Sequence, residues 1–105
     1  MLGIHFICPE RANLHEIEHP VHESGDWDVT AEDAASLVGG MLYLHKTKKE
    51  PSYFGGKIES FRMVTTDNSH SQRVIFRFTF VPEAKNQKWR GTYHARAWKS
   101  GLVEL

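Results

Sequence analysis

The chain has only one cysteine, Cys8, among its 105 residues. An intrachain disulfide is excluded, and nothing calls for an oxidising compartment. No apolar run approaches the roughly 20 residues that span a bilayer, so no membrane partner is expected. Residues 1–9 hold an apolar stretch with no basic segment before it. That argues against a signal peptide and for a first strand, with a cytoplasmic location as the expectation. Internal repeats and low-complexity stretches are also missing. So are a phosphate-loop spacing, a nucleophile elbow and a recognisable Ser/His/Asp arrangement. No cofactor and no catalytic residue are assigned on these grounds.

Apolar residues make up 40% of the chain and charged residues 25%, a balance that favours a folded protein over a disordered one. Three Trp, three Tyr and six Phe supply large core pieces. Residues 1–105 read as a single domain, long enough to bury about 60–70% of the surface its unfolded chain exposes. Net charge is zero, yet it is unevenly spread. Residues 1–38 carry eight acids against one base, and residues 39–105 carry twelve bases against five acids. The later part is therefore a candidate anion-binding face. The plain alternative is attraction between the two parts over a solvated surface.

Leu2 to Cys8 reads as a strand stopped by Pro9. Glu10 to Glu18 fits a short helix with acids near its start, ended by Pro20. His22 to Asp28 is polar, holds Gly25 and reads as a loop anchored by Trp27. Thr30 is a good N-cap for a second helix with Ala34, Ala35, Leu37 and Val38 on its apolar side, stopping at Gly39-Gly40. From Met41 the apolar period is two, giving strands over 41–45, 57–64, 73–81 and 89–98, with a short terminal strand after Ser100-Gly101. The clearest strand directs Val74, Phe76, Phe78 and Phe80 one way and Arg77 and Thr79 the other. The expected fold is α+β: a small, mostly antiparallel, five- to six-stranded β-barrel with two short helices after the first strand.

Three local features resemble the PUA-like superfamily, which includes the PUA, ASCH and EVE domains. Trp27-Asp-Val-Thr with the helix at 31–38 looks like that group's approach segment. Gly39-Gly40-Met-Leu-Tyr-Leu-His-Lys looks like its glycine-led second strand. A Phe-rich barrel strand lies near residue 76. The group's usual acidic residue after the second-strand glycine is replaced by Gly40-Met41. The resemblance implies a small barrel that binds RNA or a modified base in DNA. Its cleft would lie near Trp27 and the 46–56 loop.

Read from the residues themselves, that loop joins Lys46, Lys48, Lys49 and Lys57 to Ser52, Tyr53, Phe54 and a glycine pair. Lysines and hydroxyls hold phosphates, and aromatic rings stack on splayed bases. A solvated hairpin loop capping the core is the other reading. His45, at a strand end beside Lys46, is the histidine best placed to face a cleft. A second basic and aromatic group includes Lys85, Lys88, Trp89, Arg90, Arg96 and Trp98. Arg90 and Arg96 share the outer face of the strand expected over 89–98 and can hold phosphate. The expected ligand-binding set is Trp27, His45, Lys46, Lys48, Ser52, Tyr53, Phe54, Lys57, Arg90 and Arg96.

Two alternatives stand beside nucleic-acid binding. His15-Glu16-Ile17-Glu18-His19 fits H-E-x-x-H, in which two histidines four apart on a helix hold zinc while the Glu activates water. His22 would be a third ligand. Against it, Pro20 directly follows the second histidine, the helix would be short, and a solvated polar helix is the plainer reading of these residues. The other alternative is a protein-interaction or homodimeric domain that uses the Phe-rich strand and Leu102-Val-Glu-Leu as an edge.

Overall fold

A computed structural model describes residues 1–65, 72–91 and 98–105. It contains β1 (Leu2–Ile7), β2 (Leu14–Glu18), β3 (Val21–Trp27), α1 (Ala31–Leu37), β4 (Met41–His45), β5 (Phe54–Thr65), β6 (Gln72–Phe80) and β7 (Lys99–Glu104). One-turn 3-10 helices lie at Pro9–Arg11 and Pro82–Ala84. The seven strands form one mixed sheet in the order β2-β3-β6-β5-β4-β1-β7. Every pair is antiparallel except β1 and β4. No helix among the described residues is long and apolar enough to cross a membrane.

The expected antiparallel pairing of successive strands is present in β4-β5-β6, and Val74, Phe76 and Phe78 are all fully buried. The expected barrel is corrected to an open sheet. Its edges are β2 and β7, and no ladder joins them among the described residues. The sheet is nevertheless strongly curled. Three strands separate β1 from β3, which in a flat sheet would set them roughly 19 Å apart. Yet the Phe6 ring stacks on Trp27 with centroids 4.0 Å apart. The curl wraps one core of Ile4, Phe6, Leu42, Leu44, Ile58, Val74, Phe76 and Phe78, with α1 contributing Ala34 and Leu37.

Helix α1 forms as its sequence directs. The Thr30 hydroxyl accepts from the Asp33 N–H at 3.1 Å, and Gly39 leaves the helix at φ +87°. The first expected helix does not exist. Glu10, Arg11 and Asn13 all take positive φ, which a right-handed helix cannot accommodate. Residues 14–18 and 21–27 are instead a hairpin, docked through β3 onto β6. The polar segment expected as a loop is thus a strand. Its Ser24 is fully buried, with its hydroxyl accepting from the Trp27 indole at 3.0 Å.

This hairpin removes the geometry of the zinc alternative. Residues four apart along extended chain stand roughly 13 Å apart, not one helical turn. His15 pairs across the ladder with Glu23, and Glu16 with His22, so His15 and His22 project from opposite faces. Among the described residues, no group of three or more His, Cys, Asp or Glu is placed to hold a metal ion. The remaining sequence expectation, a strand over 89–98, lies largely in residues 92–97, outside the described residues. Trp89 and Arg90 are not in a strand.

Gly56 and Gly39 show two different demands on glycine. A Cβ at Gly56 would collide with the Thr79 main-chain carbonyl across the β5–β6 ladder, whereas a Cβ at Gly39 meets only open space. Gly56→Ala is expected to cost roughly 3 kcal/mol or more. Gly39→Ala should cost about 1 kcal/mol, from its left-handed backbone alone. Urea unfolding of the two variants measures both, and equal midpoints would contradict this packing.

Candidate functional site

Strands β1 and β4 are buried on both faces. Their alternate residues Ile4, Phe6, Leu42 and Leu44 enter the core, while His5, Tyr43 and His45 line the opposite face. The segment after β6 covers that second face. Trp89 packs over both imidazoles, with centroids 5.6 Å from His5 and 5.2 Å from His45. Tyr43 stacks on His5 at 4.6 Å.

The two histidines form a hydrogen-bond chain whose tautomers are dictated by its end. The Glu50 main-chain carbonyl can only accept, so His45 Nδ1–H donates to it at 2.9 Å. His45 Nε2 then holds a lone pair and accepts from His5 Nδ1–H at 2.7 Å. His5 Nε2 is left as an unprotonated acceptor, buried and without a partner among the described residues. Burial above all, then the neighbouring His45 and Arg90, brings the His5 pKa down to about 4. Burial also lowers His45, partly opposed by its bond to the Glu50 carbonyl. Both rings are neutral at pH 7, and the chain fixes the loop that carries Glu50.

That loop is clipped a second time through Ser52. Its hydroxyl donates to the Ala84 carbonyl at 2.6 Å and accepts from the Gln87 N–H at 2.9 Å. The main chain adds Ser52 N–H to the Gln87 carbonyl and Asn86 N–H to the Ser52 carbonyl. Asn86 takes φ +62°, a conformation its short amide side chain tolerates. Tyr53 donates its phenol to the Cys8 carbonyl at 2.6 Å, and burial pushes its pKa upward.

Between the two clipped segments lie two abutting hollows that share Pro51 and Asn86. One, of about 380 Å³, is lined by Lys46, Glu50, Pro51, Ser52, Tyr53, Lys85 and Asn86. The other, of about 350 Å³, is lined by Lys48, Lys49, Pro51, Asn86, Lys88 and Trp89. Five lysines from two stretches of chain thus border one depression, with Glu50 as its single acid. Lys48 places its ammonium 5.6 Å from the Trp89 ring centroid.

The sequence-expected residues divide between this depression and other places. Lys46, Lys48, Ser52 and Tyr53 line it, and His45 lies beneath it. Ser52 and Tyr53 have their hydroxyls engaged in holding the fold. Trp27 is away from it, half-buried and stacked on the core residue Phe6. Phe54 stacks on Phe80 at 4.7 Å beneath the Arg11 guanidinium, in a separate aromatic group with His22 and Phe78. Lys57 is exposed on β5, opposite Met41 and Thr79. Arg90 is exposed just beyond Trp89, and Arg96 lies outside the described residues. The selected set omitted His5, Glu50, Lys85, Asn86, Lys88 and Trp89. Lys85, Lys88 and Trp89 carried a signal as the second basic and aromatic stretch, whereas nothing local singles out His5 or Asn86.

No protein-family model, curated protein or solved structure matches this chain.

The His5 pKa sets a pH dependence of stability. Its folded value of about 4 lies below the ordinary 6.5, so the unfolded chain takes up the proton first. The contribution is whole above about pH 6.5, falls as pH drops from there toward 4, and levels off below. Its size is at most on the order of 3 kcal/mol. Urea midpoints measured from pH 7.5 to 4 should fall less steeply in His5→Gln than in the parent. Parallel profiles would show that His5 does not titrate as described.

Proposed function

We propose that this domain binds nucleic acid, RNA or exposed bases in DNA, by placing backbone phosphates against the lysines of the paired hollows. The observation that carries this reading is the convergence of Lys46, Lys48, Lys49, Lys85 and Lys88 around Pro51 and Asn86. Cations brought together from two chain segments hold successive anionic groups of one ligand better than they hold isolated ions. Hollows of this size lie at the lower end of those that accept small organic groups. They suit single nucleotides of a flexible strand better than the broad outer surface of a duplex. Trp89, buried with its ring against His5 and His45, gives the Lys48, Lys49 and Lys88 hollow an apolar edge. No chemical transformation is needed.

A PUA-like identity and a cytoplasmic setting belong to the same reading. The curled sheet and the capped helix leading through Gly39-Gly40 into β4 support the former. A homodimer through the β7 edge is compatible with it.

Phosphate contacts make binding depend on salt, with each contact contributing about −0.7 to the log–log slope for a single strand. Lys48→Ala combined with Lys88→Ala should flatten the slope by roughly 1.4 and weaken binding on every sequence tested. Arg77→Ala, exposed on β6 and outside the lining of the hollows, serves as the control for loss of one distant positive charge. Fluorescence anisotropy with single strands is the measurement. An unchanged slope in the double variant, or no binding by the parent at ~50 mM salt, refutes the assignment.

A further inference from the structure

Glu50 is the one carboxylate bordering five lysines, and phosphates alone give it no purpose there, because it repels them. It is also held in place. Its carbonyl accepts from His45, its N–H donates to the Thr47 hydroxyl oxygen at 3.2 Å, and that hydroxyl approaches carboxylate Oε2 at 3.3 Å. Neither Lys46 nor Lys85 forms an ion pair with it among the described residues. The main chain of Glu50 is thus anchored, and its acceptor-only carboxylate, exposed and held by the Thr47 hydroxyl alone, belongs to a residue bordering a hollow that Pro51 and Tyr53 also line.

We infer that Glu50 reads the base of the bound nucleotide, and that the base it selects is guanine. This rests on the nucleic-acid reading above and names the chemistry of one of its two hollows. A carboxylate offers two oxygens side by side. Guanine presents two parallel donors on its Watson–Crick edge, N1–H and one N2–H, which match them in a bidentate pair. Cytosine and adenine present one amino group beside a ring nitrogen lone pair, which the second oxygen repels. Thymine and uracil present one N–H between two carbonyl oxygens and fit worst. Lys46 and Lys85 in the same hollow neutralise the flanking phosphates, so one pocket takes base and backbone together. The His5–His45 chain, which touches no ligand, serves to position Glu50 from behind.

The test uses fluorescein-labelled thymidine heptamers carrying guanine, inosine, adenine, cytosine or thymine at the centre, titrated with the full chain at ~50 mM salt. A bidentate pair is worth about 1–3 kcal/mol of discrimination. The guanine strand should therefore bind roughly tenfold tighter than the thymine strand. Inosine, which lacks the N2 amino group, should fall between them. Glu50→Gln keeps the exposed loop and removes the charge. It should abolish the preference while binding the all-thymine strand at least as tightly as the parent does. Equal binding of all five strands by the parent, or a guanine preference that survives Glu50→Gln, overturns the inference and leaves the phosphate reading standing. Failure of every strand to bind overturns both. Competition by free GMP at the strand's own affinity would keep the Glu50 assignment and move the ligand from a strand to a nucleotide.

Discussion

The molecule is organised around a parallel pair of strands with no free face. β1 and β4 lie side by side inside a curled sheet, with the hydrophobic core on one side and the segment carrying Trp89 on the other. Half of their side chains are therefore buried away from the core, and this chain places two histidines and a tyrosine there. Burying imidazoles without hydrogen bonds is costly, so the pair is tolerated because each donates its Nδ1 proton. The end of that chain is a main-chain carbonyl in the loop after β4. A requirement of the interior thereby becomes a constraint on the surface.

The lysine-bordered hollows are a consequence of that constraint. The 46–53 loop is tied from below by His45 and from the side by Ser52, which is laced to residues 84–87 through main chain and hydroxyl together. Two polar loops that water would otherwise hold apart are fixed against each other. The ammonium groups are long, hydrated and individually mobile, but their stems start from rigid positions. A groove built this way combines rigidly placed main chain with mobile charged ends.

Several elements were legible from residue patterns because short-range physics determines them. The α1 start follows from the Thr30 hydroxyl and its end from Gly39-Gly40. The inward Val74, Phe76 and Phe78 follow from an alternation that only a strand satisfies. The hairpin over residues 14–27 was illegible for the opposite reason. Leu14 and Ile17 are spaced like a helical stripe, and β3 is polar along most of its length. Its strand state comes from pairing with β6, some fifty residues away, where His22 also stacks on Phe78. The same long-range docking packs Trp27 against the core and away from the lysine loop.

By itself, the sequence determined that the chain folds around one aromatic-rich core, that a helix spans the low thirties, and that the cations concentrate after residue 38. Composition, capping and alternation are local properties, and they act before any distant contact forms. Tertiary structure alone decided that the described strands form an open sheet, that His5 meets His45, and that Lys85 and Lys88 come to face Lys46, Lys48 and Lys49 across Pro51 and Asn86. Those meetings join residues about 40 positions apart, and strand order and sheet curl bring them together, which no local pattern encodes.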